Sequence, residues 1–283
     1  MFDLIYRFDP EGRHTADSPK NADEALRRLE MGNRLFARLL APGEETGSRV
    51  IRLDADDLGL PRPDGSAPSQ QPFAAVLGCS DARVPTEMVF GQTCNDLFVV
   101  RVAGNVLGAE CLGSLDYAIA NLKESLKLIV VLGHSGCGAV TAGVDAFMSP
   151  DKYLQVASSH PLRAVVDRIF VAARLAHAAL EGVYGQQVEE LPGYRQAMIE
   201  TAVALNAAMT AATLRHEFAD RLGPDRQVVY GVYDLVTRRV KLELETGDSS
   251  LAIRLVTPPA DSDGFAQLGL LVAGSGSVRE KLG

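Results

Sequence analysis

Five short apolar runs punctuate this chain, at 73–77, 97–102, 128–132, 228–232 and 240–244. The first three lack period-two alternation, the pattern of strands buried on both faces in a parallel sheet. Helical spacing fills the gaps. The stretch 108–126 is long enough for a crossover between parallel strands. Residues 162–182 and 195–221 predict two long alanine-rich helices, with Pro192-Gly193 breaking the stretch between them. Near the start, Ala22, Ala25, Leu26, Leu29, Phe36 and Leu40 recur at mostly helical spacing. Asn21 predicts the cap of that helix, and Glu24 completes a capping box. Its apolar face is set off from the core by a long connection, which fits packing onto a second subunit. The alternation of strand and helix predicts an α/β fold: a mostly parallel central β-sheet flanked by helices, with an N-terminal helical arm.

The expected division is an arm and connection over 1–70, an α/β domain over 71–257 and an unassigned tail over 258–283. Residues 1–20 read as loose. Residues 41–71 read as irregular, because Pro61, Pro63, Gly65 and Pro68 crowd together after the acidic stretch 54–57.

Composition narrows the function. With 47% hydrophobic and 23% charged residues, the chain has the balance of a soluble globular protein. A net charge of -8 argues against a nucleic-acid footprint, though not against a small anion. The apolar runs are strand-length, and the first residues contain no apolar core of signal-peptide length. A cytoplasmic protein without a membrane partner is expected. Four cysteines are too few for a disulfide scaffold at 283 residues. In a reducing compartment such thiols point to metal binding or reactivity.

Two strand ends carry the same signal. The run 73–77 leads into Gly78-Cys79-Ser80-Asp81-Ala82-Arg83, and 128–132 leads into Gly133-His134-Ser135-Gly136-Cys137-Gly138. Ligands of open parallel sheets bind beyond the carboxyl ends of strands. Cys79, His134 and Cys137 would converge there as two thiols and an imidazole, a set that suits Zn2+ and leaves one position open. Asp81 and Arg83 flank Ala82 beside the first thiol, where a guanidinium keeps a carboxylate ionised and able to accept a proton. Plain packing of buried cysteines and a surface ion pair are the bland alternatives.

The residues then resemble a known family. Gln70-Gln71-Pro72-Phe73-Ala74-Ala75 with VLGCSDARVPTEMVF, DLFVVRVAGNV at 96–106 and VVLGHSGCGAVTAG at 130–143 are similar to the bacterial β-class carbonic anhydrases. Weaker similarity covers the helix near residue 30 and GVYDLVTRRV at 231–240. The resemblance implies reversible hydration of carbon dioxide to bicarbonate and a proton, with one zinc per chain held by Cys79, His134 and Cys137. It implies that Asp81 and Arg83 position the attacking water. It places Gln70 where the family contacts substrate across a dimer interface, Phe98 and Tyr117 where it lines an apolar pocket, and the Gly138 N–H facing substrate. A homodimer or a dimer-based higher oligomer follows.

Some family members close the site by moving the aspartate onto the metal, often with a tryptophan near the first cysteine. This chain has no tryptophan, so the open form with Asp81 paired to Arg83 is expected. Ala82 replaces the family's usual serine, the run 91–95 departs from its usual residues, and 147–200 is longer than its usual connection. A hydrolase of carbonyl sulfide or carbon disulfide on the same zinc site is the rival enzyme, and a non-catalytic binding protein the rival from another class. Cys94 and Cys111 are expected to be ordinary buried thiols, and His14, His160, His177 and His216 surface or cap residues.

Overall fold

The computed structural model describes residues 2–8, 18–38, 47–61, 64–242 and 255–283. Its centre is a five-stranded sheet built from β3 (Ala74–Gly78), β4 (Leu97–Arg101), β5 (Leu128–His134), β6 (Gln227–Tyr233) and β7 (Val240–Lys241), in the order β4-β3-β5-β6-β7. All neighbours are parallel except β6 and β7. The last predicted strand is therefore short, and positions 243–244 lie outside the described residues.

The continuous apolar runs are explained by two cores. Ala75, Leu77, Ile129 and Val131 enter one, whereas Ala74, Val76, Leu128, Val130 and Leu132 enter the other. Successive side chains point to opposite faces, so a strand covered on both sides needs apolar residues at every position.

The first core is closed by α3 (Ala109–Asn121), α4 (Gly138–Met148), α6 (His160–Tyr184) and α7 (Tyr194–Glu217). Small α5 (Pro150–Ala157) precedes α6, and α8 (Ala219–Leu222) follows α7. Of the described helices, α7 alone has the length and apolarity to cross a membrane, and it is mostly buried as the central helix of this layer. The tail forms α9 (Ser262–Ala273) and α10 (Gly276–Leu282), which pack Leu268, Val272, Val278 and Leu282 into the same core.

The second core is closed by α1 (Ala22–Arg38) and α2 (Thr86–Phe90). Asn21 Oδ1 accepts the Glu24 N–H at 2.9 Å, and Glu24 in turn accepts the Lys20 N–H at 2.8 Å, which secures the start of α1 as the sequence predicts. The expectation that this helix packs onto a second subunit is corrected. Ala25 and Leu29 are fully buried against the chain's own sheet, and Asn33 ties the helix to Val89 and Val240. The long connection leaves enough chain for the helix to fold back. Two further readings are corrected: β1 (Phe2–Phe8) and β2 (Gly47–Leu53) pair in parallel within stretches expected to be loose or irregular. Their signal was hidden because charged and apolar positions alternate irregularly in both.

Candidate metal centre

β3 and β5 are adjacent and parallel, with Gly78 opposite Leu132, so their carboxyl ends reach the same edge. Cys79 follows β3 directly, His134 ends β5, and Cys137 caps α4. Gly136 has φ 63°, the left-handed conformation that lets the chain turn between His134 and Cys137. All three side chains are buried, and their donor atoms lie within 4.8 Å of one another.

The donor set fits zinc on two observations. The sulfurs of Cys79 and Cys137 are 3.9 Å apart. Two Zn–S bonds of about 2.3 Å at the tetrahedral angle span about 3.8 Å. His134 Nδ1 lies 3.0 Å from the Ser135 carbonyl oxygen, an acceptor only, so Nδ1 carries the proton and Nε2 keeps its lone pair. That Nε2 is buried without a hydrogen-bond partner among the described residues. An orphaned ring nitrogen facing two thiols is the state a metal would complete.

The electrostatics favour a cation. The hydrogen bond with Cys137 pulls the Cys79 thiol well below the usual thiol range against the opposing effect of burial, and the Asp81 and Gly104 N–H groups act in the same direction. Cys137 is pushed up, first by that same bond and then by burial, while the N–H groups of Val140 and Ala139 pull the other way.

Asp81 and Arg83 are brought together as expected. Arg83 Nε and one terminal nitrogen donate to the two carboxylate oxygens at 2.9 and 2.7 Å, and the Arg83 N–H adds a third bond at 2.9 Å. The guanidinium holds the Asp81 carboxyl well below the usual carboxylate range. Asp81 Oδ2 stands 3.8 Å from His134 Nε2, beside the donor trio.

The remaining candidates are more dispersed. Gly138 opens α4, and nothing lies within 4 Å of where a Cβ would stand, so a small molecule can approach its backbone. Phe98 pairs in register with Ala75, toward the start of the strands, and packs partly buried on the first core. Tyr117 on α3 is 49% exposed. Gln70 lines a cavity of about 370 Å³ with Asp56, Asp57, Asn95 and Leu97. That cavity sits at the opposite strand edge, and β3, about 16 Å long, separates Gln70 from Cys79. The unusual run 91–95 contributes Asn95 to that cavity rather than to the metal edge. It is braced by Thr93 bonds to Asp96 and Asp57, and by Arg28 bonds to Gln92 and Asp96.

Residues 74–237 match the carbonic anhydrase family. The chain belongs to the β class of that family. It is 36% identical to the carbonic anhydrase of Mycolicibacterium smegmatis over 191 residues, 67% of this chain and 84% of the relative. It is 49% identical to carbonic anhydrase 2 of Mycobacterium tuberculosis over 82 residues, 29% of this chain and 39% of that one. The solved β-carbonic anhydrase CcaA is 25% identical, with a TM-score of 0.47, covering 67% of this chain and 85% of the other.

Several contacts of this carbonic anhydrase site escaped the sequence reading. Arg101 donates to the Cys79 carbonyl at 2.9 Å and to the Asp81 carbonyl at 2.6 Å, bracing the loop between them. The Gly104 N–H donates to the Cys79 sulfur at 3.3 Å. A glycine in a turn after a strand was the available signal. Two other expectations are corrected. Cys94 is exposed rather than buried, because it lies in the surface turn before β4, while Cys111 is buried. His177 is partly buried and meets Glu181 and Glu189 at 3.4 Å each, with its Nδ1 2.7 Å from the Tyr194 hydroxyl. This polar cluster pins the 3-10 turn Gln186–Glu190 to α6 and α7. His160 begins α6, His216 lies in the last turn of α7, and His14 lies outside the described residues.

Proposed function

We propose that this carbonic anhydrase holds one zinc ion per chain through Cys79, His134 and Cys137 and catalyses the reversible hydration of carbon dioxide to bicarbonate and a proton. The observation that carries the assignment of these residues is the buried trio itself. Two sulfurs stand 3.9 Å apart and a lone-pair nitrogen has no partner, with an ionised carboxylate 3.8 Å from that nitrogen. When bound, zinc supplies the Lewis acidity that makes water a nucleophile near neutral pH.

The chain's own residues do the rest. Asp81 accepts a hydrogen bond from the attacking water and orients its lone pair toward carbon dioxide. Arg83 keeps that carboxylate ionised and fixes its plane through two parallel bonds. The N–H groups of Val140 and Ala139 are spent on the Cys137 sulfur. The Gly138 N–H, at the positive end of α4, is left to meet the oxygen that gains charge.

We also propose that the active form is a homodimer or an assembly of dimers. Gln70 lies a strand length from its own metal edge, so a role in substrate binding requires the partner's site. Phe98 and the half-exposed Tyr117 would gain cover in the same interface, lining the apolar pocket. Four free thiols fit a cytoplasmic enzyme.

Stopped-flow assay of carbon dioxide hydration, with carbonyl sulfide and carbon disulfide tested in parallel, checks the reaction. Turnover of carbon dioxide is expected. Turnover of only the sulfur compounds would overturn the assignment.

A further inference from the structure

The first core contains one buried amide with a specific target. Asn206 lies in the interior of α7 and is 4% exposed, among Val203, Leu205, Ala207 and Ala208, all buried. Asparagine is a poor interior helix residue, and a buried amide is unfavourable unless it is bonded. Its Nδ2 donates to the Gly104 carbonyl at 2.8 Å. That residue is far in sequence and belongs to the turn Ala103–Asn105, which follows β4.

Gly104 is held tightly. It adopts φ 66°, and a Cβ there would meet Ala139 at 3.0 Å and Ile169 at 3.1 Å. The left-handed conformation and the contacts from α4 and α6 both require glycine. Its carbonyl is bonded to Asn206, and its N–H points at the Cys79 sulfur at 3.3 Å. With both flanking peptides fixed, the turn cannot rotate its N–H away from the thiol.

We infer that Asn206 is a positioning residue for the metal ligand Cys79, acting through the Gly104 peptide. This rests on Cys79 being a metal ligand, as proposed above. An N–H bond to a thiolate draws charge from sulfur and fixes the side-chain rotamer, so it sets how strongly that sulfur binds and donates to the metal. The relay runs from α7 to the turn after β4 to the end of β3, and it couples the helical layer to the metal edge.

The test loads the full-length protein with zinc or cobalt(II). Asn206→Leu keeps the volume and removes the donor. Zinc affinity, measured by competition with a chromophoric chelator, is expected to fall by about 10- to 100-fold, the range for lost outer-shell partners. The sulfur-to-cobalt charge-transfer band is expected to move to lower energy, because the released thiolate donates more strongly. Thr201→Val is the control: it removes a buried hydroxyl of the same helix that has no partner among the described residues, and both readouts should stay at wild-type values.

A merely structural role for Asn206 would lower stability and leave the band unmoved. A folded Asn206→Leu protein with wild-type affinity and band would overturn the inference. If that variant does not fold, wild-type protein loaded with 113Cd decides. Scalar coupling between the metal and the Gly104 amide, transmitted through the N–H···S bond, is expected, and its absence would overturn the relay. Metal that binds without Cys79 would defeat the zinc assignment instead. Metal that binds through Cys79 but ignores Asn206 would defeat this inference alone.

Discussion

The sulfur atoms of Cys79 and Cys137 stand 3.9 Å apart across 58 residues of sequence. A disulfide would bring them to about 2.05 Å. Their spacing matches two thiolates on one tetrahedral ion, and His134 supplies the third donor from the end of the neighbouring strand.

Metal analysis follows from that spacing. Purified protein is expected to contain about one zinc per chain. Cys137→Ser and Cys79→Ala should lose it, because two remaining ligands hold zinc poorly. Cys94→Ser and Cys111→Ser should keep it, since neither belongs to the trio. Full zinc retention in both ligand variants would sink the assignment.

Asp81→Asn separates metal binding from chemistry. The carboxylate is bonded to Arg83 rather than counted among the donors, so zinc content should stay at the wild-type level. Loss of a proton acceptor at the reacting centre costs about 10²- to 10⁴-fold in kcat. Hydration kinetics and metal content measured on the same sample test both halves. Asp81→Asn protein with unchanged kcat would remove this residue from the mechanism.

Gly32 tests where α1 packs. A Cβ at this position would stand 1.8 Å from the Phe90 carbonyl oxygen and 2.8 Å from its carbon, and backbone atoms do not swing aside. Gly32→Ala is therefore expected to destabilise the fold by about 1–3 kcal/mol in denaturant unfolding, the usual range for overpacking. An unchanged midpoint would mean that α1 does not pack against α2 as described.

The cluster around Tyr194 predicts an alkaline limb. Burial, followed by the charges of Glu189 and Glu181, pushes the tyrosine up to about 12 from its ordinary 10.0. Between those values the folded state keeps a proton that the unfolded state releases. Stability is thus fully present below pH 10 and is lost as pH rises toward 12. Tyr194→Phe should flatten this slope relative to wild type in urea unfolding series from pH 9 to 11.5, and equal slopes would contradict the assignment. Near neutral pH the variant should be modestly less stable, because its hydroxyl no longer meets His177.

The sequence by itself determined the strands of the central sheet, the long helices and the convergence of Cys79, His134 and Cys137 at one strand edge. Strands buried on both faces need unbroken apolar runs, and thiols and imidazole directly after such strands have few other uses, so these features are local and visible. Only the tertiary structure decided what depends on distant partners. The irregular sequences of Phe2–Phe8 and Gly47–Leu53 become strands because each completes the other's hydrogen bonds. The apolar face of α1 could have met a second subunit equally well on pattern alone, and in the fold Ala25 and Leu29 are buried with Ala74, Val76 and Val130 of the chain's own sheet while Gly32 sits against Phe90 of α2. The tail carried no pattern strong enough to assign, yet Leu268 and Val272 find the groove beside α6 and α7. Asn206 is a single amide in an alanine-rich run, and its meaning lies in Gly104, 102 residues away, whose N–H meets the sulfur of Cys79. Hydrogen bonds between separate elements leave no periodicity in the sequence, because their spacing is set by the fold that brings them together.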